Sequence, residues 1–182
     1  RNESTVVALF SAKLLNTGTS YMKMWMPASS DVSYFTALAP SAKTASSPYQ
    51  SKPSLVVTMR KEKPAVKEPF VAVYEPISDK VSAGLIESVD RVKLDPQGEE
   101  GCAIKVNTKE GDTFTLVNIL KDGPVILNNQ KCCGDFAIFA KRKGKNSVYV
   151  GNGSFVENKE FKVESENRGS FYMEYDQTSL LV

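Results

Sequence analysis

The sequence predicts an all-β protein made of antiparallel β-sandwiches, in two packed subdomains that span residues 1–80 and 81–182. Three observations carry this. Runs rich in β-branched and aromatic residues recur along the whole chain, long patterns with the helical period are nearly absent, and turn-forming residues punctuate the second half at short intervals.

The first half offers four strands: TVVALF (5–10), SYMKMWM (20–26), SLVVTMR (54–60) and FVAVYE (70–75). The second half offers LIESVDRV (85–92), CAIKVNT (102–108), DTFTLVNI (112–119), PVILN (124–128), DFAIFAKR (135–142), SVYVG (147–151), EFKVES (160–165) and SFYMEY (170–175). KEGD (109–112), KDGP (121–124), KGKN (143–146), GNG (151–153) and ENRG (166–169) read as the turns between them, a spacing that suits hairpins in a meander or sandwich. On the period-two rule, Phe136, Ile138 and Ala140 are expected to face a core, as are Phe161, Val163 and Ser165, with their neighbours toward water. ALAPSAKTASSPYQSKP (37–53) has no apolar period and reads as a long loop, of the length that is usually functional, mobile or packed on something else. EPISDKVSAG (75–84) interrupts the strands with Pro, Ser and Gly, and places the subdomain boundary near residue 80.

Composition excludes several functions. A chain of 182 residues with a net charge of +2 and no basic-aromatic motif lacks the electrostatic footprint of nucleic-acid binding. With no His at all, it has no imidazole to act as general base, metal ligand or triad member. Cys102, Cys132 and Cys133 lack both CxxC spacing and His partners, so structural zinc is not expected, and buried free thiols are favoured over a Cys102 bridge to one of the pair. No cofactor is expected. No apolar run reaches the ~20 residues of a membrane span. The start, RNESTVVALF, carries neither an initiator Met nor a signal peptide, and the chain is expected to be part of a longer polypeptide.

The candidate binding residues fall in two places. In YMKMWMP (21–27), strand geometry puts Tyr21, Lys23 and Trp25 on one face and Met22, Met24 and Met26 on the other. An exposed Tyr-Trp face beside a lysine can stack on a pyranose ring and meet an acid group, whereas the commoner use of such residues is packing on both faces. In MRKEKPAVKEPF, Arg60, Lys61, Lys63 and Lys67 outnumber Glu62 and Glu68, so this hairpin tip can hold a sulfate or uronate, or simply be solvated. KRKGK (141–145) is a basic turn whose lysines also discourage edge-to-edge pairing. The acidic pairs Glu99 with Glu100 and Glu87 with Asp90 have no context that marks an acid/base couple, KDGP lacks the ligands of a calcium loop, and GNGS is a turn rather than a phosphate loop.

MWMP (24–27), YFTALAPSAK (34–43) and above all LVVTMRKEKPAVKEPFVAVYEP (55–76) resemble the C-terminal β region of heparinase II/III-type polysaccharide lyases over about residues 5–80. By position, residues 81–182 resemble the additional β domain that some of these lyases carry at the end. The resemblance implies an α/α toroid ahead of antiparallel β-sheet domains, β-elimination at a uronic acid, and a base, typically Tyr or His, with a group that neutralises the carboxylate. This chain lacks the toroid and any histidine, so no catalytic residue is carried over. The reading is a non-catalytic C-terminal β portion of a secreted or periplasmic lyase, which supports the upstream catalytic domain of the same polypeptide or contacts acidic polysaccharide. A free-standing carbohydrate-binding or adhesion module built on Tyr21 and Trp25 is the alternative, and a self-contained enzyme that uses Tyr and Lys in place of His is a third reading.

Overall fold

The computed structural model describes residues 4–14, 18–39, 54–62, 69–78, 84–95, 101–120, 123–176 and 179–181, and among them every regular element is a strand. A three-stranded sheet has the order β1–β2–β5, from β1 (Val6–Leu14), β2 (Gly18–Met26) and β5 (Val73–Ile77). A hairpin pairs β3 (Val32–Ala39) with β4 (Ser54–Lys61). The other nine strands form one sheet: β6 (Ile86–Val92), β7 (Gly101–Thr108), β8 (Thr113–Ile119), β9 (Val125–Leu127), β10 (Gln130–Cys133), β11 (Phe136–Arg142), β12 (Lys145–Glu157), β13 (Lys162–Tyr175) and β14 (Leu180–Leu181). The ladders are antiparallel throughout, so the expected all-β antiparallel fold is the observed one.

The nine-stranded sheet buries its core by rolling up. Its main path runs β14–β13–β12–β11–β8–β7–β6, while β10 pairs with the far half of β12 and β9 pairs with β10. The ring then closes between Asp95, just beyond β6, and Ile126 of β9, whose backbone groups exchange hydrogen bonds of 3.1 and 2.9 Å. Inside lie Ala103, Val117, Leu127, Cys132, Ala137, Phe139, Val148, Val150, Val156 and Met173, with Phe161 and Val163 packed against them. Side chains that alternate from eight or so strands are enough to fill such a small barrel.

Local sequence explains the path, and in three places corrects the expectations above. GNG lies within β12 and ENRG within β13, so neither is a turn between strands: Asn152 adopts φ 46° and the ladder between the two strands shifts register around Gly153, which bends one long hairpin where two short strands were expected. The face of β11 is also reversed. Ala137 and Phe139 enter the barrel while Phe136 is exposed and Ile138 half-buried, because this strand is apolar on both sides and alternation alone does not choose the inner one. Ser165 of β13 is likewise exposed.

The turns KEGD and KGKN sit where expected, the second with Lys143 and Gly144 at φ 49° and 83°. Asn128 and Asn129, at φ 48° and 66°, make the tight turn into β10, a strand too short to show as a pattern. The expected loop at 37–53 begins with β3, which ends at Ala39, and residues 40–53 lie outside the described residues.

Candidate functional site

The two halves of the fold meet around Trp25. Its face of β2 is covered by the outer side of the rolled sheet, where Trp25, Val71, Val73, Ile86 and Phe114 pack on the buried trio Val89, Ile104 and Val106. The indole N–H donates to Oε2 of Glu75 at 3.0 Å. Glu75 is buried, and its other oxygen accepts from the backbone N–H of Leu85 and, at 2.8 Å, from that of Ile86. One carboxylate therefore ties β2, β5 and the start of β6 together and gives three part-buried donors their acceptor.

Gly84 makes this possible. It has φ 71°, and a Cβ there would come within 2.3 Å of the Glu75 carboxylate, so both the turn and the close approach require glycine. Around this junction the Thr5 hydroxyl donates to the Val89 carbonyl at 2.9 Å, and Nη2 of Arg91 donates to the Pro69 carbonyl at 3.0 Å.

The candidate residues thus separate. Tyr21 and Lys23 are half-buried on the same face as Trp25, and Lys23 lies opposite Glu75 in the ladder. Arg60 is exposed on β4, whereas the Lys61 side chain, only 2% exposed, forms an ion pair of 2.9 Å with Asp31, itself 4% exposed. Burial alone would raise the Asp31 pKa, but the Ser29 hydroxyl and the Lys61 ammonium outweigh it and hold the carboxyl below its ordinary value. Lys63 and Lys67 lie outside the described residues. Sequence reasoning missed Glu75, Asp31 and Gly84. The first two are single acids among strands, and only their burial marks them.

All three cysteines are free. Cys132 is enclosed in the barrel, and burial, with Cys133 beside it, pushes its thiol up to about 12, which makes it inert rather than nucleophilic. Among the described residues no group of three or more His, Cys, Asp or Glu stands close enough to hold a metal ion, and no helix is long and apolar enough to cross a membrane.

A groove of about 750 Å³ runs between β1 and the β3–β4 hairpin, lined by Val7, Leu9, Phe10, Phe35, Leu55 and Val57 among others. Several of these large apolar side chains are exposed. The groove offers apolar contact area, with Ser11, Tyr34 and Thr36 as its polar side chains.

Over 160 residues the chain is 30% identical to an endo-acting ulvan lyase, a polysaccharide lyase, from Formosa agariphila. The alignment takes in 84% of this chain and 19% of that protein, so the chain spans about a fifth of its relative. No family model and no solved structure matches the chain.

Proposed function

We propose that the chain is the non-catalytic all-β portion of a polysaccharide lyase of the heparinase II/III type, and that it supports the catalytic domain of the same polypeptide. The observation that carries the lyase reading is the identity of 30% across most of this chain and only 19% of an ulvan lyase, the relation expected of an accessory part to a whole enzyme, while the heparinase II/III type rests on the sequence resemblance of residues 5–80. The apolar groove supports it. An exposed lining of Val7, Leu9, Phe35 and Leu55 is the kind of surface that a neighbouring domain covers. The chemistry supports it too, because elimination at a uronic acid needs a base at C5 and a group that neutralises the carboxylate. This chain contains no histidine to pair with a tyrosine base, and among the described residues the buried acids Asp31, Glu75 and Asp112 are engaged in holding the fold. Action on a polysaccharide fits a secreted or periplasmic protein.

The test compares this chain with the polypeptide encoded by its full reading frame. The full polypeptide should release unsaturated uronate, read by its ultraviolet absorbance, from an acidic polysaccharide, and this chain alone should release none. Leu9→Asp should lower the thermal midpoint of the full protein while leaving that of the isolated chain unchanged. Elimination by the isolated chain, or a full protein indifferent to Leu9→Asp, overturns the reading.

A further inference from the structure

The groove between β1 and the β3–β4 hairpin is lined by six successive residues of β1, at positions 6–11. Successive side chains of a strand point to opposite faces of its sheet, so a cleft that touches all six lies against the edge of the strand and not against one face. β1 pairs with β2 alone, and its other side meets no strand among the described residues. Along that side every second residue turns its backbone N–H and C=O away from β2 and toward the groove.

This edge lacks the sequence features that blunt strand edges. Residues 6–12, VVALFSA, include neither proline nor a charged side chain, and the ladder with β2 pairs all nine residues of β1 in one register, without a bulge. The opposite edge of the same sheet differs. β5 has five residues, Pro76 among them, and its Val73 packs on the rolled sheet. The rolled sheet closes on itself, and its terminal strand β14 is two residues long.

The far wall of the groove is apolar. The hairpin register sets Thr36 opposite Val57 and Leu38 opposite Leu55, so Leu55 and Val57 share one face, and both line the groove together with Phe35. Leu55 is 64% exposed and Phe35 50% exposed. Backbone donors and acceptors on one side and apolar side chains on the other suit an extended strand, whose backbone pairs with the edge while every second side chain meets the wall. A helix satisfies its backbone internally and would leave the outward groups of β1 unmatched. Six residues of strand extend about 20 Å, the length of an ordinary strand.

We propose that the groove receives a β-strand from the remainder of the lyase polypeptide, which adds to the edge of β1 and extends the three-stranded sheet to four. The added strand carries apolar residues at every second position, toward Leu55 and Val57, and no proline where it pairs with β1. The source of the strand rests on the reading above, in which this chain is one portion of a larger enzyme, whereas the need for a strand rests on the edge itself.

Residue-resolved amide exchange, on the isolated chain and on the polypeptide encoded by the full reading frame, tests this. In the isolated chain the amides of residues 6–13 should alternate, those bonded to β2 slow and those turned to the groove fast. In the full polypeptide the fast set should slow on the order of a hundredfold, as amides do on passing from an open edge into a sheet. Of the neighbours Ala8 and Leu9, one belongs to the fast set. Proline at that position removes an outward donor and no rung of the β2 ladder, so it should leave the thermal midpoint of the isolated chain unchanged and abolish the added protection in the full polypeptide, whereas valine there keeps it.

The proposal is overturned by equal exchange of the fast set in the two proteins, or by protection that survives the proline. It is also overturned by an isolated chain that is already protected along this edge and sediments as a dimer, since the occupant is then a second copy. Equal exchange in a full protein that is still sensitive to Leu9→Asp means that side chains alone cover the groove, so this inference and the reading it rests on fail separately.

Discussion

The small sheets β1–β5 and the rolled sheet β6–β14 solve the burial problem in different ways. The rolled sheet encloses its own core, with Val150, Cys132 and Met173 fully buried inside a ring that covers them on all sides. The small sheets enclose little. Met24 and Met26 are buried, but Leu9, Phe35, Leu38 and Leu55 stay exposed, and the Trp25 face is covered only because the rolled sheet lies against it. An open sheet of two or three strands has too few neighbours to cover both faces, so it depends on what packs on it. The rolled half is therefore the stable unit, and the small sheets are held to it by a few polar ties at the junction.

The sharpest way to break this contrast is to damage the rolled core. Met173→Ala should cost about 3 kcal/mol, through lost burial plus a cavity, and should lower the denaturant midpoint of the whole chain. A comparable loss confined to the small sheets would show the order of dependence to be wrong. Next comes the tie itself. Glu75→Ala strands the indole N–H and two backbone donors, at about 2 kcal/mol, and should shift Trp25 fluorescence at a denaturant concentration where the barrel signal is intact.

A smaller effect sharpens the contrast by pH. The Asp31 carboxyl is held below its ordinary value of 3.8 by Ser29 and Lys61 against the pull of burial, so its contribution is present above that value and is lost as pH falls through it and on through the lower folded value. Acid titration should loosen the β3–β4 hairpin before the barrel, and Asp31→Asn should abolish that step, as read by amide exchange. Smallest is Leu9→Ser in the isolated chain, within about 0.5 kcal/mol by thermal unfolding, because an exposed side chain gives up little when it is removed.

The sequence shows its strands clearly and their faces poorly. Most strands of the second half can be read within a residue or two, because β-branched runs and glycine turns mark them on their own. Which side of β11 faces inward cannot be read, since Phe136, Ala137, Ile138 and Phe139 are apolar in succession and only the roll of the sheet decides. GNG is a turn by composition and a bend inside a strand by context. Of the candidate residues, Trp25 was singled out for its chemistry, but its partner Glu75 comes from fifty residues further along, a distance over which local patterns carry no information.

Among the described residues the ring of the rolled sheet is completed by one bridge, Asp95 with Ile126, where β7–β8, β10–β12 and β9–β10 each share three rungs or more. Two hydrogen bonds are the backbone pairing that the described residues make along that line. The barrel has a seam, along which it can part and reclose while the ladders on either side stay zipped, and the amides of Asp95 and Ile126 should exchange with solvent well ahead of those in β7 and β8.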